Sequence, residues 1–275
     1  MTGRTDVPTD HTEHPLGPRV RELRELDEFD EVVRLVREIW GVAEGGDPVS
    51  AEVMRALSHA GNYVAGVRQD GRLVGASVAF FAAPVGTALH SHLTGVHGAG
   101  RGIGLALKLH QRDWARERGL SRITWTYDPL IRRNAYFNLV KLGARPVEYL
   151  PSFYGAIADA INGGDESDRA LASWDVTRPL PGTRSRTEPS GRADPSAWAD
   201  PSAWAEPSGR SEPSGRAAAY ALRDRDGRPE PVRTDAGTVL VELPADIETL
   251  RRTDPGAARA WRLALREVLG GMLAD

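Results

Sequence analysis

A glycine-rich turn precedes a segment of helical periodicity near the middle of the chain. It reads Gly98-Ala99-Gly100-Arg101-Gly102-Ile103-Gly104, follows a predicted strand over 87–97 and opens a predicted helix over 102–118. Backbone N–H groups at a helix N-terminus carry partial positive charge, and glycines let an anion approach them closely. The turn therefore predicts a phosphate-binding site, with a purely structural turn as the alternative.

The spacing of the glycines separates this turn from two common nucleotide-binding loops. A P-loop requires Gly-Lys-Ser/Thr, but Gly104 is followed by Leu105. A dinucleotide fingerprint requires a third glycine three residues after the second, and Leu105 occupies that position too. Neither class of nucleotide site is predicted here.

Three titratable residues lie close to this turn in the predicted sheet. Strand alternation places His90 and His92 with Thr94 on one face, opposite Leu89, Ser91 and Leu93. An imidazole, with a pKa of about 6.5, suits a general base. Asp128 follows a predicted strand over 122–127 and is the carboxylate candidate. The alternatives are buried, hydrogen-bonded histidines and an aspartate that caps a turn.

Composition limits the classes of function. The chain has no cysteine, which excludes disulfides and thiolate chemistry, and no histidine and carboxylate spacing predicts a metal site. A net charge of −3 does not favour nucleic acid as a partner. No apolar run approaches the roughly 18 residues of a spanning helix, so no membrane association is expected. Residues 1–18 are interpreted as a disordered leader, and the expected compartment is the cytoplasm.

The order of predicted elements indicates an α/β fold from residue 19 to 177. Helices over 28–40 and 50–59 precede a strand meander, and a helix, a strand over 122–127, a helix over 132–142 and closing strands follow. In the helix over 102–118, an apolar face is predicted to contact the core, with His110 on it. Lys108, Arg112 and Arg116 lie on another face. This order predicts a mixed sheet with helices on both faces.

The remainder of the chain divides into two parts. Residues 178–236 are predicted to be a disordered insertion, because five proline-containing hexapeptides occupy 187–216 without an inward aliphatic residue in each. Residues 237–275 carry a predicted strand over 238–244 and a helix over 255–273. This segment is too short to fold alone and is expected to pack on the first domain.

The turn and its surroundings resemble the GNAT superfamily of N-acetyltransferases. The family's loop reads Gln/Arg-x-x-Gly-x-Gly/Ala, and Gly102 and Gly104 fill its two small positions, whereas Ala99 replaces the Gln or Arg. Asn134-Ala135 and Lys141-Leu142-Gly143-Ala144 resemble the family's following helix and its end. Trp125 to Leu130 and Ala260-Trp261-Arg262 resemble an uncharacterised "predicted acetyltransferase" branch. The resemblance covers about residues 19–177 and 237–273.

The resemblance implies a fold with splayed central parallel strands and acetyl-CoA as co-substrate. Pantetheine would pair with the open edge of the earlier strand and pyrophosphate would lie on the glycine-rich turn, with Asn134 lining the channel. The implied CoA-binding residues are Thr94, Gly95, Val96, Gly100, Arg101, Gly102, Ile103, Gly104 and Asn134. An N–H of the earlier strand would stabilise the tetrahedral oxyanion.

The implied activity is direct attack of an amine on the thioester, with His90, His92 or Asp128 as the base. The acceptor would be an unidentified small molecule or amino acid, and relatives commonly form homodimers. The family's proton-donating tyrosine is replaced by Leu139, with Tyr127, Tyr136 and Tyr154 as the alternatives. An acyl-CoA-binding regulatory or scaffold module without turnover is the other interpretation.

Overall fold

The structure is a computed structural model that describes residues 18–41, 46–98, 102–155, 165–181 and 218–274. Gly100 and Arg101 of the glycine-rich turn, most of the predicted leader and the hexapeptide repeats lie outside these residues. Within the described part of the chain, no helix has the length and apolarity needed to cross a membrane.

A seven-stranded mixed sheet forms the centre of the fold, with strand order β1-β2-β3-β4-β5-β7-β6. All neighbouring strands are antiparallel except β4 and β5, which are parallel. The strands are β1 (Val20–Glu22), β2 (Tyr63–Gln69), β3 (Arg72–Ala82), β4 (Ala88–Val96), β5 (Arg122–Tyr127), β6 (Arg145–Leu150) and β7 (Arg169–Asp175).

Helices cover both faces of this sheet, as alternation along β2 demonstrates. Val64 belongs to a cluster with Phe29 and Met54 of α1 (Leu26–Trp40) and α2 (Ala51–His59). Tyr63 and Ala65, which point the other way, belong to a cluster with Trp114 of α3 (Ile103–Glu117). The predicted fold class, a mixed α/β sheet with helices on both faces, is confirmed.

The segment after β5 contains a short helix whose geometry changes along its length. Helix α4 spans Arg132–Tyr136 and continues into a π-helical turn, Phe137–Lys141, before Gly143 with φ of 72°. The sequence predicts one helix over 132–142, so the extent is correct and the π-helical turn is a finding of the structure. Asn134 is half-buried in α4.

The end of the chain forms a small subdomain that is larger than the sequence predicts. It consists of β8 (Ala219–Arg225), β9 (Arg228–Pro231), β10 (Val239–Val241), α5 (Ile247–Thr253) and α6 (Pro255–Leu273). Residues 219–231 therefore correct the predicted disordered insertion over 178–236. The turn between β8 and β9 is Asp226-Gly227, both with positive φ, which is a common hairpin signal. The two prolines of β9 obscure it in the sequence.

The subdomain packs on the main sheet. Leu130, Ile131 and Tyr149 of the main domain share one apolar cluster with Trp261 and Leu265 of α6. Trp261 and Leu265 are completely buried, and the indole N–H of Trp261 donates to the backbone oxygen of Gly227 at 3.0 Å. These contacts place α6 against the region that follows β5.

Candidate active site

The two parallel strands at the centre of the sheet separate halfway along their length. β4 pairs with β5 only at Ala88–His90, opposite Arg122–Thr124. Beyond this point β4 remains paired with β3 as far as Val96, and β5 remains paired with β7 as far as Tyr127. Each strand is thus held by its outer neighbour, and the residues 91–96 of β4 have an open edge that faces β5. This is the splay that the resemblance implies.

The N-terminus of α3 is accessible at the open end of this gap. Gly102 is the N-cap with φ of 81°, and no atom of the described residues, apart from its chain neighbours, lies within 4 Å of the place where its Cβ would be. A Cβ on Gly104 would meet only Val96, at 3.9 Å. The first turn contains no acidic residue. Its N–H groups have no intrahelical partners and can therefore donate to an anion.

A bulge in β4 changes which residues share a face. The register with β3 shifts so that Val78 pairs with Leu93 but Ala79 pairs with Ser91, leaving His92 as the additional residue. Leu93 consequently packs in the α1–α2 cluster. The prediction that Thr94 shares a face with His90 and His92 is wrong, because the Thr94 hydroxyl lies 2.9 Å from Ser77 Oγ on the α3 side.

His90 lies at the last paired position before the strands separate. Its Nδ1 is 3.1 Å from the hydroxyl of Thr124, and its ring packs against Phe80 with centroids 5.3 Å apart. Burial lowers the pKa of His90 to about 4, with smaller contributions from His92 and the charge of Lys108. The imidazole is therefore neutral at neutral pH, and the structure gives its Nε2 no hydrogen-bond partner among the described residues.

His92 is half-buried on the α1–α2 side of the sheet. Its ring centroid is 5.9 Å from that of Phe80, and its Nε2 lies 3.4 Å from the backbone oxygen of Pro48. His90 and His92 thus both contact the Phe80 ring, so they share a face of the sheet. His110 is outside this group, because its Nδ1 lies 2.9 Å from the hydroxyl of Tyr63.

Lys108 is buried on the α3 side of the gap, contrary to the polar face that the sequence predicts for it. It is 4% exposed, and its Nζ donates to Ser91 Oγ at 3.0 Å and to Gln111 Oε1 at 3.4 Å. The Nζ also lies 4.1 Å from the centre of the Trp125 ring. Burial lowers the pKa of Lys108 to about 7. Sequence periodicity missed this residue because its neighbours on the same helical face are arginines.

Asp128, the predicted carboxylate base, is instead a structural anion. Its carboxylate accepts from Arg251 at 2.6 Å and from Arg262 at 2.9 and 3.0 Å, and all three side chains are at most 4% exposed. Burial alone would raise the pKa of Asp128, but the hydrogen bonds and charges of Arg262 and Arg251 lower it to about 2. Because both carboxylate oxygens are bound by these arginines, the structure gives Asp128 a structural role in place of the predicted catalytic one.

The tyrosines considered as proton donors differ in position. Tyr127 is buried, and burial raises its pKa to about 12, which makes it a weak acid. Tyr136 is 42% exposed on α4, near Leu139. The Tyr154 hydroxyl lies 3.1 Å from Thr126 Oγ1, beyond the point where β5 separates from β4. Among the described residues no group of three His, Asp or Glu side chains is arranged to hold a metal ion.

Comparison with known proteins gives matches only among solved structures. No family model and no curated protein matches the chain. An aminoglycoside 6'-acetyltransferase type Ii is similar, with 22% identity, 58% of this chain and 99% of that chain covered, and a TM-score of 0.45. A putative acetyltransferase of the GNAT family from Desulfovibrio desulfuricans has 17% identity, coverage of 57% and 98%, and a TM-score of 0.47.

Proposed function

We propose that this protein transfers an acetyl group from acetyl-CoA to an amine of a small molecule or amino acid. The observation that carries the proposal is the separation of β4 and β5 after His90 and Thr124, with the exposed N-terminus of α3 at the open end of the gap. A thioester-bearing chain can enter such a gap as an added strand, while its anionic end reaches the helix.

The residues of the gap fit this co-substrate. Thr94 to Val96 offer main-chain groups along the open edge of β4, and the N–H groups of Gly102 to Gly104 offer donors to pyrophosphate. Among the described residues, a Cβ on Gly102 or Gly104 would meet no atom closer than 3.9 Å, which suits the close approach of an anion. Acetyl-CoA supplies an acyl group that is already activated as a thioester. The chain's own task is to hold this group and to direct an amine to it.

His90 is the residue that we propose as the base. It lies where the strands begin to separate, it is neutral, and Thr124 fixes the orientation of its ring through Nδ1. Its Nε2 can therefore accept a proton from the attacking amine. His92 flanks the same aromatic ring and faces the same side, so it is proposed to line the acceptor site. An N–H of residues 94–96 would donate to the developing oxyanion.

Turnover is tested by the release of CoA thiol from acetyl-CoA with a panel of amines. We expect His90→Ala to lower kcat by about 10²-fold, as loss of a general base does. His59→Ala is the matched control, because His59 is exposed at the end of α2. If CoA binds tightly but no amine causes thiol release, and if His90→Ala and His92→Ala have no effect, the enzymatic proposal is wrong and the protein is a CoA-binding module without turnover.

Binding is tested independently by calorimetry with CoA alone. Gly104→Asp places a negative charge in the first turn of α3, where the space around Gly104 accommodates it. We expect CoA affinity to fall by roughly tenfold or more, because a carboxylate repels pyrophosphate and occupies its donors. Gly104→Ala is the neutral control and should retain affinity. If both variants bind CoA equally well, the pyrophosphate does not bind at this helix terminus.

A further inference from the structure

Lys108 joins the two central strands at the level where their ladder stops. The last paired residues are His90 and Thr124, and the next residue of each strand contacts the Lys108 ammonium. Ser91 of β4 accepts its hydrogen bond at 3.0 Å, and the Trp125 ring of β5 lies 4.1 Å from it. The Nζ thus lies over the beginning of the gap, on the face opposite to the histidines.

Among the described residues, no carboxylate balances the buried charge of Lys108. Its neighbours in the described residues are neutral: Ser91, Gln111 and the Trp125 ring, with Ser77 and Thr94 beyond them in the same hydrogen-bond network. The titratable group that senses it is His90, whose pKa its charge helps to lower. Burying an ammonium without a counter-ion is costly, and the chain bears this cost next to the proposed site.

We propose that the Lys108 ammonium donates the proton that the departing CoA sulfur takes up. This inference rests on the proposed function. The amine nitrogen forms a bond to the thioester carbonyl carbon, and the carbon–sulfur bond breaks with its electron pair on sulfur. One proton passes from Lys108 to the sulfur, giving CoA thiol and a neutral lysine. The proton lost by the amine passes to His90 and from His90 to solvent, and Lys108 regains a proton from solvent.

The acidity of the two groups suits this transfer. A CoA-type thiol has a pKa of about 8.5, whereas burial lowers the pKa of Lys108 to about 7. The proton therefore moves downhill from nitrogen to sulfur.

The first test reads Lys108 directly and does not depend on an acceptor. The chain has two lysines, Lys108 and Lys141, so protein labelled with ¹³C at lysine Cε gives two NMR signals, and Lys108→Met assigns them. We expect saturating CoA to raise the titration midpoint of Lys108, because the sulfur and the ammonium then titrate as a coupled pair in which ionised sulfur favours the ammonium. A CoA analogue with methylene in place of sulfur should not raise it, and Lys141 should be unaffected by either.

The second test separates proton donation from charge. Lys108→Met is expected to lower kcat about 10²-fold with KM for acetyl-CoA changed less than about threefold. Lys108→Arg keeps the charge but is too weak an acid, so it should show the same loss. Lys141→Met should behave as wild type, and thermal unfolding confirms that each variant folds.

Each remaining outcome has a defined meaning. If the wild type does not bind CoA, the proposed function fails and this inference fails with it. If CoA binds but leaves the Lys108 signal unchanged, only this inference is overturned. Full activity in Lys108→Arg, or an acetyl group on Lys108 in the intact mass after incubation with acetyl-CoA, also overturns it, because the residue would then act as a fixed charge or a nucleophile.

Discussion

Asp128 and Lys108 are both buried charges at the central strands, but their surroundings are opposite. Asp128 is enclosed by two arginines that satisfy both carboxylate oxygens. Lys108 has a hydroxyl, an amide and an indole ring around it, and no carboxylate among the described residues. Accordingly the pKa of Asp128 falls to about 2 and its charge is permanent, whereas the pKa of Lys108 falls to about 7 and its charge can change. A paired charge supports structure, and an unbalanced one is available for chemistry.

Breaking the pair at Asp128 should give the largest effect on stability. Asp128→Asn leaves Arg251 and Arg262 buried with less negative charge, and we expect a loss of about 3 kcal/mol in the free energy of unfolding, measured by urea denaturation. Asp226→Asn, in the exposed β8–β9 turn, is the control and should change stability by less than about 0.5 kcal/mol. If D128N keeps its stability but loses turnover, Asp128 acts in catalysis and its assignment as a structural anion is wrong.

Acid should weaken the same pair. The folded pKa of Asp128, about 2, is below the value of about 3.9 expected in the unfolded chain. Its contribution, about 2 kcal/mol, is therefore complete above pH 4 and is lost as the pH falls towards 2. Urea midpoints of the wild type and D128N should converge over this range. A constant difference between them would show that the carboxylate charge is not what stabilises the cluster.

Removing the charge of Lys108 should raise the free energy of unfolding, by less than the loss expected for Asp128→Asn. Because the folded pKa of Lys108 is lower than its unfolded value, its stabilising contribution is present only at high pH and is lost as the pH falls towards 7. We expect Lys108→Met to be more stable than wild type by about 1–2 kcal/mol at pH 6, with the gain shrinking towards pH 10. Lys141→Met is the control for the loss of a lysine. If Lys108→Met is less stable than wild type at pH 6, the contrast between the buried charges of Lys108 and Asp128 is wrong.

Much of the fold could be predicted because the signals are local. Periodicity and turn residues gave the range of β5 and of α6 as the structure has them, and the order of elements gave the mixed sheet. The hairpin of β8 and β9 was missed, because its prolines and its position after the hexapeptide repeats favoured disorder over the Asp226-Gly227 turn signal.

The chemistry of the site was harder to predict because it depends on distant partners. The strand ladder that ends at His90 and Thr124 joins residues 34 positions apart. The bulge at His92, which moves Thr94 to the other face, leaves no mark in the alternation of residue types. Asp128 resembles a base at a strand end until its arginines are located, and Lys108 resembles a surface residue until β5 covers it.

The pairing of Asp128 with Arg251 and Arg262 also has a consequence for folding during synthesis. Arg251 and Arg262 follow Asp128 by 123 and 134 residues, so a ribosome releases β5 long before its counter-charges exist. An unpaired carboxylate resists burial, and domains fold from the N-terminus as they emerge. The Asp128 carboxylate can therefore be buried with its partners only after α5 and α6 have been synthesised, and a prematurely terminated product would carry the glycine-rich turn and the histidines with Asp128 unpaired.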